Sequence, residues 1–264
     1  MTTALLRPTS RKKDAMFDPS MKSRYDEQGF LVVPSVFTAA ELDPIRGRVD
    51  ALVADPNSAP EGVSIGREGD TTPDRNSPQA QNSAVRSTAF LVRFDAQFQA
   101  FATQDKLLQL VRGLIGPKVQ VFRDQMLLKP PGGQAKPPHQ DQSYFRVEPE
   151  DGLMTAWIAL DEATLENGCM GYIPGSHRHG IFEVGFDPER PVHHVPLTQG
   201  VELPEMVYCP VPAGSIIFHH GCTLHASHDN RSDTWRRALI IHFATAAARS
   251  EKESLNEQVS LRID

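Results

Sequence analysis

Along the first half of the chain, apolar positions recur at helical spacing; beyond about residue 118 they gather into short runs cut by turn residues. Gly29-Phe30-Leu31-Val32-Val33-Pro34 reads as a short strand stopped by proline. Thr38 ahead of Ala39-Ala40-Glu41 has the form of a helix start, a threonine cap with a glutamate three positions on. From there Leu42, Ile45, Val49 and Leu52 share one face, so a helix is expected to about Val53. A second is expected from about Asp95 to Ile115, stopped by Gly116-Pro117. Between them, residues 55–87 are rich in Ser, Pro, Gly, Asn and Gln. That stretch is too polar for a core and long for a connection, which reads as a lid or as plain disorder.

The later runs are strand-like: residues 119–130, 154–163, 169–177, 206–212, 215–225 and 236–246. Pro130-Pro131-Gly132-Gly133, Asn167-Gly168, Pro174-Gly175 and Pro212-Ala213-Gly214 separate them. Many short strands between turns indicate a sandwich or barrel, and helices before strands place a helical layer against a β core. The expected organisation is one domain over 1–264. Residues 1–20 form a loose tail, 21–117 a helical layer with the lid, 118–246 the β core and 247–264 a polar tail.

Composition narrows the function. A net charge of −6 disfavours nucleic acid as a partner. Three cysteines do not make a disulfide framework, which points to the cytoplasm. Arg11, Lys12 and Lys13 precede no long apolar run, so neither a signal peptide nor a membrane anchor is expected. The expected partner is a small-molecule substrate, with the chain a monomer or homodimer.

Three features carry chemistry. In His139-Gln140-Asp141, residues i and i+2 of a strand point to one side, so imidazole and carboxylate converge. With a distant histidine they would complete a two-histidine, one-carboxylate face, the arrangement that suits iron(II) with open positions. An H-x-D alone is weak evidence, and taken by itself reads more readily as a surface turn pair. The second feature is the histidine-rich stretch 219–228, from which His225 is singled out; His219, His220 and His228 read as packing or hydrogen-bonding residues. The third is Arg236, opening the apolar run 238–241. A buried arginine needs an anionic partner, and its planar fork suits a carboxylate.

The order H-Q-D (139–141), N-G-C-M-G-Y-I-P-G-S-H (167–177), H-A-S-H-D-N (225–230) and W-R-R-A (235–238), with the opening D-E-Q-G-F-L-V-V-P (26–34), resembles the phytanoyl-CoA dioxygenase family. The resemblance covers roughly residues 22–246. It implies a mostly β fold with flanking helices around a double-stranded β-helix, a cupin-like jelly roll. It implies iron(II) held by His139, Asp141 and His225, with 2-oxoglutarate and O2 as co-substrates. Arg236 becomes the clamp for the far carboxylate of 2-oxoglutarate; Trp157, Gln140 and Gln125, or its neighbour Met126, lie near the same co-substrate. The family often has a lysine ahead of its second helix, for which Arg93 is the nearest basic residue here.

The implied reaction is hydroxylation of an unactivated C–H bond of a small organic substrate, with release of succinate and CO2. A cupin-like metal enzyme that does not use 2-oxoglutarate is the alternative, or a non-catalytic binding protein on the same scaffold. A halogenase is disfavoured because Asp141 is present. The residues expected to meet the substrate are Arg67, Arg75, Tyr144, Phe145, His193 and His194, all in loop-like stretches.

Overall fold

The structure, a computed structural model, describes residues 16–71, 81, 84–186 and 194–263. In chain order come α1 (Pro19–Gln28), β1 (Phe30–Val33), α2 (Ala39–Ala54), β2 (Ser64–Arg67), β3 (Val85–Ala89), α3 (Leu91–Phe94), α4 (Ala96–Ala102) and α5 (Asp105–Ile115). There follow β4 (Val119–Lys129), β5 (Lys136–His139), α6 (Gln142–Phe145), β6 (Val147–Glu148), β7 (Leu153–Ala159), β8 (Met170–Tyr172), β9 (Val184–Phe186) and β10 (His194–Pro196). The last strands are β11 (Val207–Cys209), β12 (Ile216–His220), β13 (His225–Ser227), β14 (Arg236–Thr245), β15 (Arg249–Ser250) and β16 (Leu261–Arg262).

Two antiparallel sheets dominate. The larger runs β1-β12-β7-β14-β4-β3-β2, with β16 also paired to β4; the smaller runs β11-β8-β13-β5. The large sheet is buried on both faces, which is why β7 is apolar almost throughout and has no exposed residue. Its outer face presents Met126, Met154, Ile158, Phe218, Leu239 and Ile241 to a core shared with the α2, α4 and α5 side chains Leu42, Phe98 and Leu110. Its inner face presents Trp157, Ile217, Ala238 and Ile240 to Met170, Tyr172 and Cys209 of the small sheet. Two facing sheets with helices on one side make the expected mostly β jelly roll.

The helix at 39–54 follows its sequence signals closely. The Glu41 carboxylate accepts from the Thr38 amide at 2.8 Å, and Leu42, Ile45, Val49 and Leu52 are its buried residues. The expected helix at 95–115 is instead two helices. The Thr103 hydroxyl donates to the Gln99 carbonyl at 2.9 Å, and the backbone breaks there before Asp105 opens the next helix.

In two other stretches the described residues make more backbone pairs than their polarity suggests; of the expected lid at 55–87, residues 72–80, 82 and 83 lie outside the described residues. Both flanks of the polar segment 55–87 are strands: β2 and β3 form an antiparallel pair, and β3 joins β4. The expected polar tail beyond residue 247 is tied down. β15 pairs with β6, β16 with β4, and the Ser260 hydroxyl donates to the buried Asp124 carboxylate at 2.7 Å. Polar residues hid these segments because each contributes backbone pairing rather than apolar area. No helix among the described residues is long and apolar enough to cross a membrane.

One turn is sterically fixed. Gly214 has φ +83°, and a Cβ added there would lie 2.0 Å from the Phe37 carbonyl oxygen. That close approach lets the Gly214 carbonyl accept from the Phe37 amide at 2.9 Å, seating the α2 approach against β12. Gly47, exposed inside α2, meets nothing within 4 Å of such a Cβ. The two glycines should therefore respond oppositely to alanine. Gly214→Ala should lose more than ~2 kcal/mol, and Gly47→Ala should gain about 0.5–1 kcal/mol from helix propensity. Urea unfolding of both variants checks the pair; a Gly214→Ala protein as stable as the parent would refute the packing described.

Candidate active site

His139 ends β5 and His225 opens β13. The antiparallel register places them opposite one another, with ring centroids 4.1 Å apart. Asp141 lies just past the strand with helical backbone angles, φ −63° and ψ −36°, and starts the single turn of α6. Strand alternation therefore does not bring it to the histidines, as the sequence suggested. A turn does, fixed by the Gln142 amide donating to the Gly221 carbonyl at 3.0 Å. One ligand atom from each of His139, Asp141 and His225 lies within 4.8 Å of the others.

Hydrogen bonds fix what each ligand offers. His139 Nδ1 is 2.9 Å from the Pro137 carbonyl and His225 Nδ1 is 2.9 Å from the Thr223 carbonyl. Only a protonated Nδ1 can bond a carbonyl, so in both rings Nε2 is the nitrogen left to face a metal. Burial, with His225 alongside, holds His139 well below the ordinary imidazole range and therefore neutral.

Asp141 is buried, yet its carboxyl is held well below the usual carboxylate range. Burial opposes ionisation, but His242, His225 and the His219 hydrogen bond outweigh it. Oδ2 accepts from the Thr155 hydroxyl at 2.5 Å and from His219 Nε2 at 3.0 Å. Oδ1 is left facing His225 Nε2 at 3.7 Å. Each donor is itself oriented. His242 Nδ1 lies 2.8 Å from the Thr155 oxygen and Gln125 lies 3.4 Å from His242 Nε2, while the Tyr172 hydroxyl is 3.3 Å from His219 Nδ1. Burial pushes His219 down to about 4, so it is neutral and needs that outside donor at Nδ1. Of the packing or hydrogen-bonding roles the sequence suggested for His219, the structure shows the second, directed at Asp141.

The triad opens into a cavity of about 420 Å³ between the sheets, within the range of small-molecule sites. Arg236, Trp157, Gln125, Tyr144 and Phe145 line it, as does Arg86. Arg236 is 2% exposed, its Nε and Nη1 have no hydrogen-bond partner, and its guanidinium lies 5.5 Å from the Trp157 ring centre. Burial and then Arg86 push it down to about 10. Trp157 Nε1 is also buried without a partner. Arg237 points the other way, where its Nε and Nη2 bond Asp161 at 2.8 and 2.9 Å.

Other sequence candidates fall elsewhere. Gln140 does not line the cavity: its amide donates to the Gly180 and Cys222 carbonyls at 2.8 and 2.6 Å and accepts from the Phe182 amide at 2.8 Å. It therefore brackets loops and has no group left for a co-substrate. Met126 faces the outer core. Arg67 is outside the lining, and Arg93 packs over Phe94 at 5.3 Å; the basic residue preceding the helices that does reach the cavity is Arg86. Arg75, His193 and the side chain of His194 lie outside the described residues.

The sequence reading missed Arg86, Lys129, Thr155, Ser227 and His242 as lining residues. Alternation from established neighbours reaches three of them: Thr155 from Trp157, Ser227 from His225 and His242 from Arg236. If Thr155 orients the Asp141 carboxylate for a metal, Thr155→Val should weaken divalent-metal affinity by about 10- to 100-fold. The fold should survive the change, since valine is nearly isosteric. Competitive titration of cobalt(II) against a chelating dye measures it, and unchanged affinity would count against this role.

The sequence profile described as phytanoyl-CoA dioxygenase matches residues 25–238. The chain is 27% identical to phytanoyl-CoA dioxygenase domain-containing protein 1 of Mus musculus, covering 88% of this chain and 92% of that protein. It is 24% identical to the peroxisomal phytanoyl-CoA dioxygenase of Homo sapiens, covering 84% and 67%. Among solved structures it resembles the epimerase SnoN in complex with Fe3+, alpha ketoglutarate and nogalamycin RO (TM-score 0.71, 24% identity, 90% of each chain). It also resembles EctD from S. alaskensis with bound Fe (TM-score 0.71, 21% identity, 93% of this chain and 83% of that one). A profile match over most of the chain, met by the same fold and a preformed two-histidine, one-carboxylate cluster, places this protein in the phytanoyl-CoA dioxygenase family.

Proposed function

We propose that this chain is an iron(II)- and 2-oxoglutarate-dependent dioxygenase that hydroxylates a C–H bond of a small organic substrate. The observation that carries the reading is Arg236. A buried guanidinium with two unpartnered donors is very costly unless an anion completes it, and this one shares a cavity with the triad. A cupin-like enzyme that ignores 2-oxoglutarate would have no use for it there.

The donor set fits the metal. His139 Nε2, His225 Nε2 and Asp141 Oδ1 are the free donors, and two imidazoles with one carboxylate suit iron(II) while leaving positions open. Arg236 would hold the far carboxylate of 2-oxoglutarate in a two-pronged grip, with Trp157 lining the same cavity beside it. When bound, iron, 2-oxoglutarate and O2 supply the oxidising chemistry, with succinate and CO2 released as the substrate gains a hydroxyl. The protein's part is position and exclusion of water. Thr155 and His219 keep Asp141 ionised and aimed, the apolar sheet faces keep the cavity dry, and Tyr144, Phe145 and Lys136 form the wall left for the substrate.

Iron(II) should bind one per chain, and His225→Ala should abolish both binding and succinate release. Arg236→Ala should keep iron but bind 2-oxoglutarate a hundredfold or more weaker, as expected for losing one side of a buried charge pair worth about 3–5 kcal/mol. Arg236→Lys should recover only part of this, and Arg237→Ala should change it little. Metal analysis and a succinate assay in air check the first pair, and anaerobic titration of 2-oxoglutarate into the iron-loaded Arg236 and Arg237 variants, followed by the metal-to-ligand charge-transfer band, measures the rest. If Arg236→Ala binds as tightly as the parent, the alternative without 2-oxoglutarate takes precedence.

A further inference from the structure

Lys129 is a buried amine with no part in the proposed function so far. Lys129 ends β4 directly opposite Arg236 in the antiparallel ladder, so both side chains stand on the inner face, and both line the cavity. It is 5% exposed, and its hydrogen-bond partners among the described residues are a hydroxyl and a carbonyl. Its Nζ instead donates to the Ser227 hydroxyl at 2.9 Å and to the His228 carbonyl. Ser227 also lines the cavity, two residues past His225. A Cβ added at Gly168 would come within 3.0 Å of Nζ, so the ammonium is closely surrounded on that side too.

Resting on the proposed use of 2-oxoglutarate, we propose that Lys129 is a positioning residue for the distal carboxylate. It turns the Ser227 hydroxyl toward that carboxylate and places a second positive charge beside Arg236. The geometry supports this in two ways. A hydroxyl that accepts from Lys129 must point its own proton elsewhere, and the cavity that Ser227 lines is open to it. A carboxylate has about four acceptor sites, more than one guanidinium fork fills, so a hydroxyl and an ammonium on the same wall complement it.

The electrostatics add a signature. Burial, then Arg236 and Arg86, push Lys129 down to about 6, against weaker opposing pulls from Asp229 and Glu68. The groups facing it are Arg236 from β14, Arg86 from β3, Glu68 beside β2, His228 and Asp229 beyond β13, and Cys169 beside Gly168. Near neutral pH the amine is thus largely uncharged while the cavity lacks an anion. A carboxylate arriving beside it favours the ammonium, so a proton is taken up on binding. The sign follows: affinity for the dianion rises as pH falls from 8 toward 6.

The test compares two probes on the iron-loaded protein without oxygen: 2-oxoglutarate, and 2-oxopentanoate, which keeps the chelating end but lacks the distal carboxylate. Lys129→Met should weaken 2-oxoglutarate at least tenfold and leave 2-oxopentanoate within about twofold. Calorimetry in buffers of different ionisation enthalpy should show proton uptake with 2-oxoglutarate in the parent and none in Lys129→Met. Ser227→Ala should weaken 2-oxoglutarate in the same selective way. If Lys129→Met weakens both probes equally, or neither, the residue is merely structural and the inference is overturned. Should the iron-loaded parent bind neither probe, the proposed function itself fails, a result distinct from the loss of selectivity. If Lys129→Met does not fold, Lys129→Gln judges the same ratio.

Discussion

A carboxylate buried between two sheets survives ionised only if its surroundings replace the water it lost, and at this site Asp141 sets that demand. Thr155 from β7 and His219 from β12 both spend their donors on Oδ2. His242 from β14, Gln125 from β4 and Tyr172 from β8 fix those donors in turn. Five strands of two sheets are thereby committed to one oxygen, which leaves the other oxygen as the free ligand. The inner face of the large sheet can carry so many polar groups because its outer face, packed on the helices, supplies the apolar burial.

The same inner face separates two electrostatic regimes. At one end, the triad combines one carboxylate with two imidazoles. At the other, Arg236, Lys129 and Arg86 line the wall, with Glu68 bonding Arg86 at 2.7 Å. The cavity has a cationic end and a metal-binding end, and Trp157, with the Arg236 guanidinium over its ring, lines it as well. A ligand with a chelating group at one terminus and an anion at the other matches that polarity, and a neutral or cationic one does not.

How much of this was legible in the sequence depended on whether the signal was local. The capped helix and its stripe at Leu42, Ile45, Val49 and Leu52 were readable because helix geometry needs only neighbours. Arg236 was distinguishable from Arg237 because alternation along β14 assigns them opposite faces, and the outer one meets Asp161. The triad residues were readable as a set only through motif order, since His139 and His225 meet by strand pairing across a long separation. The reason offered for Asp141 was mistaken: the chain leaves the strand at Gln140, and a turn aims the carboxylate. Gln140 was misplaced for the same cause, because leaving the strand turned its amide onto the backbone of Gly180, Phe182 and Cys222. Arg86 was hidden in a segment whose polarity masked a strand, and Thr155 and His242 looked like ordinary members of apolar runs.

The clustering of Arg236 and Lys129 also bears on why this face of the fold tolerates strain in its charges. Arg236 is a buried guanidinium with unpartnered donors, and burial together with its charge keeps Lys129, opposite it in the ladder, largely uncharged, so the protein alone holds the pair at a cost that apolar residues of the same volume would avoid. The fold bears that cost through the packing of β14 between β7 and β4, which holds the side chains in place whatever their charge. An anion entering the cavity would offset the burial penalty of Arg236 and let Lys129 take up its proton, so part of its binding energy would come from removing a cost already present in the folded chain. Such a ligand stabilises the fold in proportion to its occupancy. That coupling makes the cationic end selective for charge, while the apolar wall formed by Phe145, Met170 and Ile240 contributes affinity without discriminating charge.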